Sequence, residues 1–396
     1  MRFCSKCVIP DTRPDLDFNE GGECDACRAY EMKHGYRKGL DWEQREKEFV
    51  EFIKPFKTGD PMRYDCIIPV SGGKDSTYQT HIALQYGLKP LCICFEPTLP
   101  TKIGRQNLDN LNNMGVDLIH FKRNPIIYDR LVMEGFRRVG DPEWINHVGI
   151  WTVPVNFAVA FNIPLILWGE SPQMEYGGLH RVKEINKRLF DEDWMNDFGC
   201  LNGLRAEDMI NESNGVSHSD MKMYIYPLRE KLDEVVVNNV RGLQGVFLGY
   251  YFKWDIPTAV DTIETLGWRR RKGRVETTYT DYEGLDCYSM NIHDYLKYCK
   301  FGFGRASDDA SRDIRNSRID REQGVRLAER YDGRYPKHLV EKFCVRFGLS
   351  QNEFDDICDS FTNKELFERR DRKFVRDIDG SLVMKSKYFE ARRHPS

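Results

Sequence analysis

Residues 64–80 read "YDCIIPVSGGKDSTYQT". A short apolar run, Cys66 to Val70, enters Ser71-Gly72-Gly73-Lys74-Asp75-Ser76 and then a helical pattern. A strand that meets consecutive glycines at the head of a helix makes an anion cradle. Main-chain N–H groups converge there, and the helix N-terminus adds partial positive charge. Ser71 and Ser76 add hydroxyl donors, and Lys74 adds a full charge. The loop is not of the hydrolase type G-x-x-x-x-G-K-[ST]. Lys74 is followed by Asp75, and Ile68 or Pro69 stands where the upstream glycine would be. Asp75 beside bound phosphates makes sense as a magnesium ligand.

Working outward, strand and helix patterns alternate. After the loop comes the helix "STYQTHIALQYG", then the strand "PLCICFE", the helix "KIGRQNLDNLNNMG" and the strand "VDLIHFK". The helical stretch "WINHVGIWTVPVNFAVAFN" leads into the buried strand pattern "IPLILWGE", and "GVFLGYYFKWD" (245–255) reads as one more strand. This alternation predicts a doubly wound, parallel α/β sheet, with ligands at the C-terminal ends of the strands. Residues 59–270 form the expected nucleotide-binding domain, with a polar insert at about 171–222 that is either a lid, substrate or partner element or a surface excursion. Residues 1–58 form a cysteine-rich region with a helical linker over 41–57, and 271–396 read as mainly helical, with a tight turn at 379–383.

Cys4-x2-Cys7 and Cys24-x2-Cys27 stand sixteen residues apart. That is the spacing of a closed four-thiolate zinc site, each pair expected on a tight turn, and such a site is structural because no coordination position stays open. An iron–sulfur cluster would use the same ligands. The remaining eight of the twelve cysteines are scattered and read as reduced core residues.

Composition limits the partners. The chain is 40% hydrophobic and 31% charged, with a net charge of −3 and a pI near 6.3. There is no broad basic field for nucleic acid. The basic stretches 269–274 and 368–373 read as solvated faces. The sequence shows no signal pattern and no membrane-length apolar run, so a cytoplasmic location without membrane contact is expected.

Ser71 to Ser76 resemble the signature of the PP-loop ATP pyrophosphatases, a HUP-type (adenine nucleotide alpha hydrolase-like) superfamily that cleaves ATP between the α and β phosphates and adenylates a carbonyl or amide oxygen. With "FCSKCVIPDTRPDLDFNEGGECDACRAYE", "LILWGES" and "KFGFGRASDDASRDIR", nearly the whole chain is similar to the N-acetyl sugar amidotransferases of bacterial surface-polysaccharide (LPS O-antigen) biosynthesis, the WbpG- and PseA-like enzymes. The resemblance implies conversion of an acetamido group on an activated sugar, such as a UDP-acetamido sugar, into an acetamidino group. AMP and pyrophosphate leave. Ammonia comes from a separate glutaminase and synthase pair resembling histidine-pathway enzymes. The residues agree with an outside ammonia source: position 2 is Arg rather than a nucleophilic Cys, and "GCLNG" (199–203) lacks a triad glutaminase pattern.

On this resemblance ATP is held by Ser71, Gly72, Gly73, Lys74, Asp75, Ser76, Phe95 and Gly169, with Lys74 neutralising the departing pyrophosphate and Asp75 holding Mg²⁺. Glu170 is a candidate metal ligand, ammonia guide or proton acceptor. Lys300, Arg305 and Asp308, with Arg312 and Asp309, are candidates for the nucleotide sugar. Two other functions compete: a PP-loop tRNA thiolation enzyme, which would need a cysteine such as Cys66, Cys92 or Cys94 near the loop, and a non-catalytic nucleotide-binding scaffold.

Overall fold

The computed structural model describes residues 1–35, 39–178, 189–273 and 275–395. Residues 179–188 of the expected insert, and Arg274 of the basic stretch, lie outside the described residues. The strands of the central sheet are β1 (Cys66–Val70), β2 (Pro90–Phe95), β3 (Asp117–Phe121), β4 (Leu165–Trp168), the two-residue β5 (Leu189–Phe190) and β6 (Gln244–Phe247). Their order is β3-β2-β1-β4-β6-β5. The first five are parallel, and β5 closes one edge antiparallel. The parallel α/β sheet read from the alternation is therefore present.

Pleating sorts each strand between two cores. Cys66, Ile68, Cys92, Cys94, Leu165 and Leu167 face one side. There they meet α2 (Trp42–Ile53), α3 (Lys74–Gln85) and α4 (Lys102–Asn113). Ile67, Leu91, Ile93, Phe95 and Ile166 face the other side, against α5 (Pro125–Val139) and α6 (Trp144–Phe161). Side chains alternate with period two, so a strand covered on both faces has to be apolar throughout. The helix α6 is likewise apolar on every side and buried along most of its length. Gly149 brings it against the Phe95 ring, where a Cβ would stand 2.5 Å from a ring carbon.

Several elements depart from the sequence reading. The second cysteine pair is not on a simple turn: Cys24 is the N-cap of α1 (Asp25–His34) and Cys27 lies in its first turn. Helix α5 was not anticipated, because Pro125 opens it at the permitted first position. Residues 245–255 are strand only to Phe247, and the chain then tightens into a 3-10 turn at Leu248–Tyr250. Among the described residues, the region 171–222 contains the short helix α7 (Pro172–Tyr176), the edge strand β5, a helix at Glu192–Phe198 and several shorter turns.

After α8 (Ile256–Glu264) the chain does not leave the α/β unit at once. Residues 285–288 return along the segment that follows β2: the Thr101 N–H donates to Asp286 O at 3.0 Å and the Tyr288 N–H to Leu99 O at 2.9 Å. Five helices follow: α9 (Ser289–Phe301), α10 (Arg305–Arg315), α11 (Arg321–Tyr331), α12 (Lys337–Phe347) and α13 (Gln351–Phe361). A turn with Gly380 at φ +87° precedes α14 (Ser386–Arg393). No helix among the described residues is long and apolar enough to cross a membrane.

Candidate active site

The loop between β1 and α3 folds on its own polar groups. Gly73 is the N-cap of α3, and Gly72 takes φ +85°, a left-handed conformation that glycine adopts without steric cost. The Ser71 N–H donates to Ser76 Oγ at 3.3 Å, and Trp268 Nε1 donates to Gly72 O at 3.1 Å. Gly73 offers no side-chain cap, so the first-turn N–H groups of α3 remain available to an anion.

The loop forms one end of a cavity of about 350 Å³ at the C-terminal edge of β1, β2 and β4. The other end is lined by Ile93, Phe95, Trp151 and Trp168. Ser71, Gly73, Lys74, Asp75, Ser76, Phe95, Gly169, Glu170 and Arg305 all line it. Gly72 shapes the loop without lining the cavity. Four other residues assigned from the sequence do not line it: Asp309 and Arg312 line a smaller neighbouring cavity instead, and Lys300 and Asp308 line neither. Lys300 turns away and donates to Val139 O at 3.3 Å. Asp308 is buried between Arg13 and Lys297. It lies three residues after Arg305 on α10, but its carboxylate is saturated by those cations.

The charge arrangement is specific. Lys74 Nζ lies 2.8 Å from Asp75 and 3.0 Å from Glu283. Burial opposes its charge, but these two carboxylates outweigh burial and hold its pKa above that of an ordinary lysine. Glu283 is buried too, yet Lys74 and Arg312 pull its pKa below the usual carboxylate range. Arg312 joins Glu283 at 2.8 Å to Glu175 at 2.6 Å. Burial pushes the Asp286 carboxyl up, partly offset by a hydrogen bond from Ser71. Trp254 Nε1 donates to the other oxygen of Asp75 at 3.2 Å. Asp75, half-exposed and facing the cavity, is a suitable hard-oxygen ligand for a divalent cation.

Glu170 sits at the end of β4, paired with Lys33 of α1 at 2.6 Å. Burial raises its pKa, and Lys33 counters part of that rise. Sequence reasoning missed Lys33, Glu283, Asp286, Gln79 and Trp254. Of these, only Gln79 had a positional signal, one and a half turns into α3.

The four cysteines of the N-terminal pairs are buried and free, and their Sγ atoms lie within 4.8 Å of one another. Cys7 and Cys24 are 3.8 Å apart, and Cys4 and Cys27 are 4.0 Å apart. A tetrahedral ion with thiolates at about 2.3 Å requires sulfurs about 3.8 Å apart, so the set fits zinc. It is closed and stands outside the large cavity.

These features define an α/β protein with a glycine-rich loop at the C-terminal edge of its sheet, a cluster of four cysteines and a helical C-terminal region. Residues 276–379 match the family model described as LPS biosynthesis protein WbpG-like, C-terminal domain, so the C-terminal region of the chain is WbpG-like. Among solved structures, the NMN synthetase from Francisella tularensis is similar at 13% identity and a TM-score of 0.28. The alignment covers 35% of this chain and 58% of that one, so this chain spans less than two thirds of its length. Comparison with curated proteins gave no match.

Proposed function

We propose that the protein is an ATP-dependent, AMP-forming amidotransferase that converts the acetamido group of a nucleotide-activated sugar into an acetamidino group for LPS biosynthesis. The observation that carries this reading is the shared cavity. Its phosphate loop belongs to the α/β unit, and the wall packed against that loop, Tyr282 to Asp286, with Met290 and Arg305, lies within the WbpG-like segment.

ATP lies with its phosphates on the Ser71–Ser76 loop and its base toward Phe95. The acetamido oxygen attacks the α-phosphorus, and the bond to the pyrophosphate oxygen breaks. Lys74, held protonated by Asp75 and Glu283, offsets the charge that builds on that leaving oxygen. Asp75 would hold Mg²⁺, which neutralises phosphate charge. Ammonia then adds to the activated carbon. The C–O bond breaks with its electron pair on AMP, and nitrogen loses its proton to Glu170. The amide oxygen, a poor leaving group, thus departs as part of a phosphate. Arg305 supplies the cationic contact to the sugar nucleotide. A separate glutaminase partner delivers the ammonia.

The test is release of AMP and pyrophosphate from ATP and Mg²⁺ with an ammonium salt, across a panel of UDP-acetamido sugars and with bulk tRNA. One sugar labelled with ¹⁸O in its acetamido group is expected to pass the label to AMP and to gain NH in place of oxygen. Stimulation by tRNA alone would move the protein to the thiolation class. ATP binding without turnover under any of these conditions, glutaminase partner included, would overturn the enzyme reading.

A further inference from the structure

A second, smaller cavity of about 50 Å³ lies against the first, on the side of α1 and α10. Glu170, Glu175 and Tyr282 belong to the walls of both. This volume admits a water-sized molecule and excludes a sugar or nucleotide. Its walls include Tyr30 and His34, and also Trp254, the residue that donates to Asp75. Lys33 stands at the junction, paired with Glu170, and both side chains are at least nine-tenths buried. On the active-site side stands Gln79, 7% exposed, whose Oε1 has no hydrogen-bond partner among the described residues. Gly169 permits this, because a Cβ there would stand 2.6 Å from Gln79 Nε2. An unpartnered buried carbonyl is costly unless something donates to it. The same large cavity is lined by Glu170, a carboxylate able to take a proton.

We infer that the small cavity is the inlet for ammonia, and that Gln79 Oε1 and Glu170 hold it for attack. The assignment rests on the amidotransferase reading. An N–H of ammonia donates to Gln79 Oε1, which aims the lone pair into the large cavity. As the C–N bond forms, the C–O bond to AMP breaks and the proton released by nitrogen passes to Glu170. Lys33, a cation at the junction, repels ammonium, so that the neutral nucleophile is admitted.

Met174 lines only the small cavity and provides the test. Met174→Trp fills it, and the KM for ammonium is expected to rise by about tenfold or more while the KM for ATP and for the sugar stay within about twofold. Met174→Ala widens it, and methylamine is expected to become a better nucleophile by a similar factor. Gln79→Met is expected to raise the ammonium KM without preventing pyrophosphate release. Melting temperature and metal content confirm that each variant is folded. Folded Met174 variants with unaltered ammonium and methylamine kinetics would overturn the inlet and leave the amidotransferase reading standing. A wild-type protein that makes no ammonium-dependent product would overturn both.

Discussion

At the scale of the residue, Lys74 makes the sharpest claim. It is buried, and it is held protonated by Asp75 and Glu283. On the proposed reaction, Lys74→Ala removes the charge that would meet the departing pyrophosphate, and AMP formation is expected to fall by about 10²–10³-fold or more. Glu283 keeps Arg312 as a partner at 2.8 Å, so no carboxylate is orphaned and the fold should survive. Pyrophosphate release and zinc content, measured on the same preparation, check both halves; retained activity would sink the role. A second residue contributes to acid sensitivity. Burial lowers the pKa of His147 to about 4, although Asp141 opposes the shift; His293, Lys300 and Arg305 reinforce it. The unfolded chain binds a proton at this side chain below about pH 6.5, whereas the folded one stays neutral down to about pH 4. Its contribution is therefore lost as pH falls through that window, by up to about 3 kcal/mol for so buried a ring. Urea midpoints should decline from pH 7 to 4.5, and His147→Gln should flatten that decline.

At the scale of the element, the turn from β1 into α3 depends on one backbone conformation. Gly72 has φ +85°, and a Cβ there would run into the carbonyl of Gly104 in α4. Gly72→Ala is expected to cost about 1–3 kcal/mol and to displace the loop, with ATP affinity falling more than thermal stability would account for. Equal ATP affinity in the variant would show that the loop tolerates another conformation. This element was legible because its information is local: two glycines, a charge and a strand adjoin in sequence. The sheet was legible for the same reason, since doubly covered strands have to be continuously apolar. What stayed hidden is non-local. Glu283 and Asp286 lie in "DYEGLDCY", which has no helical or strand period, and they reach Lys74 and Ser71 only because residues 285–288 hydrogen-bond along 99–101. Lys300 and Asp308 misled because proximity in sequence to Arg305 does not fix direction on a helix. Arg13 and Lys297, far apart in the chain, had already claimed Asp308.

At the scale of the whole molecule, the four-thiolate centre ties the N-terminal region to the wall of the active site. Arg321 of α11 donates to Cys7 O at 3.1 Å, and the Val8 N–H donates to Ser311 Oγ of α10 at 3.4 Å. Arg13 meets Asp308 on the same helix, and α1, capped by Cys24, carries Lys33 to Glu170. A metal that clamps the start of α1 thereby fixes a side chain at the cavity junction without touching substrate. Removing it with a strong chelator is expected to lower the melting temperature by several degrees and to reduce amidine formation, because Lys33 and α10 lose their anchor. Cys24→Ser should reproduce both effects, and zinc restored under reducing conditions should reverse the chelator's. Elemental analysis is expected to give one zinc per chain; iron with acid-labile sulfide would instead identify a cluster at the same cysteines. The decisive comparison is between stability and turnover during gradual metal loss. If both decline together the centre is structural, as its closed coordination requires. If turnover vanished while the melting temperature held, the metal would have to act in the chemistry, and a site without an open position could not be the whole of it.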